Sequence, residues 1–145
     1  MSRYILMLEH DAHDREIAQS YFANNQPTIH VEFVTYSNEL IARLDKSTHL
    51  PGLILLAINT VPANGLEVVK QLKANDHYKH IPVVVLGEST LPDWVKKCYA
   101  AGANSVINKP STLQLTNKKI DTFITYWFEV AELSHDTTKP AAQLN

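Results

Sequence analysis

The stretch PGLILLAINTVPANG, Pro51 to Gly65, decides the fold. Leu53 to Leu56 form an unbroken apolar run that opens after a Pro-Gly pair and arrives at a polar loop. Such a run reads as a strand buried on both faces, which is the signature of a parallel sheet. In open α/β sheets the chemistry lies just beyond the carboxyl ends of the strands. Function is therefore expected where this run ends, and the residue standing there is Ala57. A methyl group is neither a nucleophile nor a ligand.

Working outward, short apolar strands alternate with helical patterns along the chain. Tyr4 to Leu8 is a first strand, and Asp11 then caps a helix running to about Asn24, with Asp14 in its first turn. Val31 to Thr35 is a second strand. Ser37 caps the next helix, to about Lys46, whose Leu40, Ile41 and Leu44 share one face. After the third strand comes a helix from Leu66 to Ala74, then a fourth strand, Val83 to Leu86, introduced by Pro82. A helix from about Pro92 to Ala101 stops at Gly102, a residue suited to a left-handed helix end. Ser105 to Ile107 is the fifth strand, and one last helix runs from about Thr112 to Leu133. Strands alternating with helices imply right-handed crossovers and a parallel sheet covered on both faces. An order 2-1-3-4-5 places the functional edge at the ends of the first and third strands.

Composition narrows the function classes. A chain of 145 residues suits one domain, here residues 1–133, followed by a polar, aperiodic and disordered tail over 134–145. A net charge of −2 gives no bulk attraction to nucleic acid, and no basic helix follows residue 133. The single Cys98 precludes an intramolecular disulfide and suits a reducing compartment. No apolar run approaches the roughly 18 residues of a membrane span, so a soluble cytoplasmic domain is expected.

Five features of residues 3–133, taken in register, resemble the receiver domains of response regulators. MLEHD ends the first strand with Glu9 at the first place of that family's acidic pair. Asn59 lies two residues past the acceptor position, where the family offers a backbone carbonyl to Mg²⁺. Gly65 lies eight residues past it, IPVVVLGES matches the fourth strand, and GANSVINKP matches the last strand with Lys109-Pro110. In the family that lysine contacts phosphate and its peptide to proline is usually cis. The resemblance implies a flavodoxin-like (βα)5 doubly wound sheet and a role in two-component signalling. IPVVVL and the aromatic ITYWFEVAEL resemble the stand-alone receivers related to phytochrome-associated response regulators.

Against that pattern, the phosphorylation positions have changed together. Ala57 stands where the resemblance puts the phosphate-accepting aspartate, and His10 where it puts a metal-binding aspartate. Gly87 takes the place of the switch threonine or serine, and Val106 that of the aromatic residue that reports activation. Pro62 sits one position later than the family's proline, which gives the loop a different shape. Mg²⁺ requires oxygen ligands that usually include carboxylates. With Glu9 and Lys109 nearly balancing, and His10 neutral or positive, the charge that would attract a divalent cation is gone. A direct contact between Glu9 and Lys109 is expected to satisfy both.

The leading expectation is a pseudo-receiver: no enzyme, no metal, no cofactor, acting by contact with a histidine kinase, another two-component protein or a second copy of itself. A working phosphorelay receiver with a displaced acceptor, such as Thr60 or Ser89, is the alternative. A flavodoxin-like cofactor-binding enzyme ranks last, because His10 to His13 contains no glycine and is acidic. Tyr126, Trp127 and Phe128 on the last helix mark an expected interface, since one helix face cannot bury three successive aromatic residues. His77 and His80, at i,i+3 spacing, lack the nearby cysteine or acidic pair that would make them a metal site.

Overall fold

The structure is a computed structural model and describes residues 4–87, 93–108 and 113–133, with only the backbone at 113–116. Five strands, β1 (Tyr4–Leu8), β2 (His30–Val34), β3 (Leu53–Ala57), β4 (Val83–Gly87) and β5 (Ser105–Asn108), form one parallel sheet in the order β2-β1-β3-β4-β5. Between and after them lie α1 (Ala12–Asn25), α2 (Ser37–Lys46), α3 (Gly65–Ala74), α4 (Trp94–Ala101) and α5 (Leu113–Thr125). This is the flavodoxin-like order expected from the alternation of strands and helices.

The parity of the strands explains their unbroken apolar character. Leu6, Leu8, Ile54, Leu56, Val83 and Val85 turn to one face and pack beneath α2, α3 and α4. Ile5, Met7, Leu53, Leu55, Val84 and Leu86 turn to the other, where Tyr21 and Phe22 of α1 meet Phe123 and Ile124 of α5. No strand position of β1, β3 or β4 beyond Tyr4 reaches water freely. An alternating polar sequence would leave one of the two layers without a core.

Register brings the functional edge together. Leu8 pairs with Leu56, Ala57 with Leu86, and Gly87 with Asn108, so the carboxyl ends of β1, β3, β4 and β5 emerge side by side. Helix ends follow the sequence with two corrections. Asp11 caps α1 by accepting the Asp14 N–H at 2.8 Å, and Gly102 ends α4 at φ 111°, both as expected. At α2 the cap is Tyr36, not Ser37; the Tyr36 N–H donates to the Glu39 carboxylate at 3.1 Å, and Ser37 is the first helical residue. The last helix is not one continuous α-helix to Leu133. After Thr125 it widens into a π-helix over Tyr126–Val130, closed by the Ala131 N–H donating to the Tyr126 carbonyl at 2.7 Å. The residues from 134 onward, expected to form a tail, lie outside the described residues.

Candidate functional site

The site is the rim formed by the strand ends, and each of its corners is built differently. At the β1 corner Glu9 is almost fully buried, at 3% exposure, and its N–H continues the β1–β2 ladder by donating to the Val34 carbonyl at 3.1 Å. His10 turns outward, with its ring centroid 5.5 Å from that of the exposed Tyr36. A residue that sequence reasoning missed organises this corner. Arg15, in the first turns of α1, reaches back and donates Nη1 to the carbonyls of both Glu9 and His10, each at 2.9 Å. A guanidinium thus lies against the loop whose acidic pair would attract a cation in a working receiver. The Asp14 N–H, in turn, holds the fully exposed Asp11 carboxyl below the usual carboxylate range.

The β3 corner is apolar and tightly closed. Ala57 is buried, and the Ile58 N–H donates to the Leu86 carbonyl at 2.9 Å. The Gly65 N–H donates to the Ile58 carbonyl at 2.8 Å. A Cβ on Gly65 would stand 2.7 Å from the Ala57 carbonyl oxygen and 2.9 Å from the Ile58 Cα, so α3 can start this close only with glycine. The intervening loop is held to α2. The Ser37 N–H donates to the Val61 carbonyl at 2.9 Å, and the Ala63 N–H donates to the Ser37 hydroxyl at 2.8 Å. The Val61–Pro62 peptide is cis. Thr60, expected as a possible displaced acceptor, is 4% exposed and donates its hydroxyl to the Ala63 carbonyl at 2.8 Å. Asn59 is exposed.

At the β4 corner the space beside Gly87 is filled by its neighbours. A Cβ on Gly87 would lie 2.6 Å from Ile58 Cγ2 and 3.2 Å from Trp94 Cη2. Ile58 and Trp94 therefore occupy the space that a threonine or serine side chain would need. The sequence places a glycine where the receiver resemblance puts a hydroxyl, but gives no sign of the apolar groups packed against it. Val106 of β5 packs against the α2–α4 core layer, and its N–H donates to the Tyr99 hydroxyl at 3.1 Å. Lys109, Pro110 and Ser89 lie outside the described residues, as does the expected Glu9–Lys109 contact.

The donor set described does not fit the Mg²⁺ that the fold implies. Mg²⁺ takes near-octahedral oxygen ligation, usually with carboxylates. Of the three acidic positions only Glu9 carries a carboxylate, while residue 10 is an outward imidazole and residue 57 a methyl group. Among the described residues no three His, Cys, Asp or Glu side chains gather as a metal site. His80 is held below the usual histidine range, first by burial and then by Lys73. The structure thus brings Glu9, His10, Ala57, Asn59 and Gly87 to one edge, with Val106 in the neighbouring strand.

The expected aromatic interface divides. Tyr126 is 50% exposed, whereas Trp127 and Phe128 are half-buried against the α1–α5 layer. The Tyr126 and Trp127 rings meet edge to face at 5.2 Å. Within the π turn, two of the three consecutive aromatic residues pack toward the core and the third faces solvent.

Comparison with known proteins fixes the family. The family model of the response regulator receiver domain matches residues 5–121. The chain belongs to the response regulator receiver family. The crystal structure of the phosphorylated cyanobacterial phytochrome response regulator RcpA superposes with a TM-score of 0.82 at 28% identity, covering 91% of this chain and 99% of that one. The Mn²⁺-bound form of response regulator Rcp1 gives 0.82 at 26% identity, covering 92% and 99%. Rcp1 of Synechocystis sp. is 35% identical over 83 residues, 57% of this chain and 56% of that protein. The probable methanogenesis regulatory protein FilR2 of Methanothrix harundinacea is 32% identical over 78 residues, 54% of this chain and 50% of that protein. The chain thus spans about half the length of these curated relatives. Among the described residues of this receiver domain, no helix is long and apolar enough to cross a membrane.

Proposed function

We propose that this receiver domain is a pseudo-receiver: a non-enzymatic signalling module that acts by protein–protein contact and accepts no phosphoryl group at its β3 end. The observation that carries the reading is the packing at Gly87. Loss of the acceptor carboxylate at Ala57 would be a single chemical change. Ile58 and Trp94, 2.6 and 3.2 Å from the point where a Cβ of residue 87 would stand, make it a change of shape as well. Phosphoryl transfer depends on positioning and on charge neutralisation. Here a methyl group replaces the nucleophile, and an outward imidazole replaces the second acid.

The partner is a two-component signalling protein such as a histidine kinase, or a second copy of the chain. Exposed Tyr126 and Val130 at the end of the last helix support contact there. The setting is the cytoplasm, with no nucleic acid or membrane in the function. The displaced-acceptor alternative is disfavoured by Thr60, whose hydroxyl is buried and engaged with the Ala63 carbonyl. Incubation with acetyl phosphate and Mg²⁺, followed by intact-mass measurement, tests the reading. An unchanged mass is expected, and a stoichiometric gain of one phosphoryl group would refute it. Light scattering with and without Tyr126→Ala distinguishes self-association from a heterologous partner.

A further inference from the structure

Beside the filled switch position lies a groove of about 320 Å³, between the β3–α3 loop and α4. Its floor is apolar, formed by Ile58, Leu66, Trp94 and Cys98. Its mouth is polar and carries charges of both signs, Asp93 and Lys97, together with the amides of Asn59 and Asn64. Asp93 is the N-cap of α4, yet its carboxylate makes no capping bond. Lys97 follows one turn later, its N–H donating to the Asp93 carbonyl at 2.9 Å, so both side chains leave the same face of the helix. Among the described residues neither side chain joins an ion pair. The Asn64 side-chain oxygen is already used to cap α3, accepting the Glu67 N–H at 3.0 Å, which leaves its NH₂ to donate.

We infer that this groove binds a small zwitterionic aromatic molecule of the aromatic amino-acid class. The ring lies on Trp94 and Leu66, the ammonium faces Asp93, and the carboxylate faces Lys97 and the Asn64 amide. Charge complementarity selects a zwitterion, because an anion alone would meet Asp93 and a cation alone would meet Lys97. Size selects a molecule of one or two rings, since the volume is at the lower end of the roughly 300–1,000 Å³ of small-molecule pockets. The position is also suited to regulation. Ile58 and Trp94, which floor the groove, are the side chains that close over Gly87. A ligand pressing on them acts at the end of β4, where the receiver resemblance puts the switch residue. The inference goes beyond the pseudo-receiver reading and does not depend on it.

Titration of the ¹⁵N-labelled full chain with L-phenylalanine, followed by amide chemical shifts, tests it. Saturable shifts are expected at Asn59, Leu66, Lys97 and Cys98, and also at Gly87. Phenethylamine and 3-phenylpropionate, each lacking one charge, should bind about tenfold more weakly, the scale of one lost charged contact. Asp93→Asn should abolish the preference for phenylalanine over 3-phenylpropionate, and Lys97→Met the preference over phenethylamine. Both variants lie on the exposed rim and keep the core intact. Absence of saturable shifts, or shifts centred away from the groove, would overturn the proposal. So would equal binding of N-acetyl-L-phenylalaninamide, which would mark the groove as a peptide site. Shifts in the groove without any at Gly87 would overturn the coupling. A mass gain with acetyl phosphate would refute the pseudo-receiver reading while leaving this titration unaffected.

Discussion

On the pseudo-receiver reading proposed above, the β1 corner and the β3–β4 corner of the rim differ from a phosphorylation pocket in different physical ways. At β1 the change is electrostatic: the second acid is an outward histidine, and the Arg15 guanidinium holds the loop carbonyls. At β3 and β4 it is steric: a methyl group at Ala57, a glycine at residue 87, and Ile58 and Trp94 filling the space. A cation can in principle be displaced by a metal, whereas a packed side chain has to move its neighbours. The steric corner is therefore the stronger barrier to phosphoryl chemistry at this rim, and the two corners should respond differently to substitution.

The largest effect is expected at Gly65, where a methyl group would meet the backbone of Ala57 and Ile58. Gly65→Ala should cost about 3 kcal/mol in urea unfolding, and a loss below about 1 kcal/mol would show that α3 does not hold its close approach to β3. Gly87→Thr should cost about 2 kcal/mol, because the obstructing atoms belong to side chains, one of them β-branched and stiff. Adding Ile58→Ala should recover a large part of that loss, and simple additivity of the two changes would break the steric account of this corner. Arg15→Ala should cost about 1 kcal/mol, the scale of removing a charged donor from two carbonyls, with little change in the β3–β4 corner by amide shifts.

The smallest effect concerns Asp11. Its carboxyl titrates below the ordinary value of 3.8 in the folded state because the Asp14 N–H stabilises the anion. The unfolded state therefore binds the proton more readily, and the stability this contact contributes is present above the unfolded value and lost as pH falls through the folded one. Thermal midpoints should decline slightly more steeply in that acid range for the wild type than for Asp11→Asn, which keeps a capping oxygen and removes the charge. Identical acid profiles would remove Asp11 from the electrostatics of the corner.

Much of this was legible in the residues. The apolar runs at 53–56 and 83–86 gave the parallel sheet, because burial on both faces leaves no polar position in a strand. Ala57, His10 and Gly87 stood out in the sequence as departures from the receiver pattern, and the structure places all three at the strand-end rim. What surrounds them was not legible, since it depends on contacts between separate elements: Arg15 reaching from α1, Ile58 and Trp94 meeting over β4, Ser37 accepting from the Ala63 N–H. A guanidinium six residues after Glu9, on the first turns of the following helix, was the one available signal for the first of these. The π turn at Tyr126 escaped because its aromatic residues also suit an ordinary helix.

The most direct test of a pocket dismantled at both corners is to restore the acceptor alone. Ala57→Asp, incubated with acetyl phosphate and Mg²⁺ beside a functional receiver domain, should keep an unchanged intact mass while the control is phosphorylated. Stoichiometric phosphorylation of Ala57→Asp would contradict the account, showing that the missing carboxylate was the sole defect.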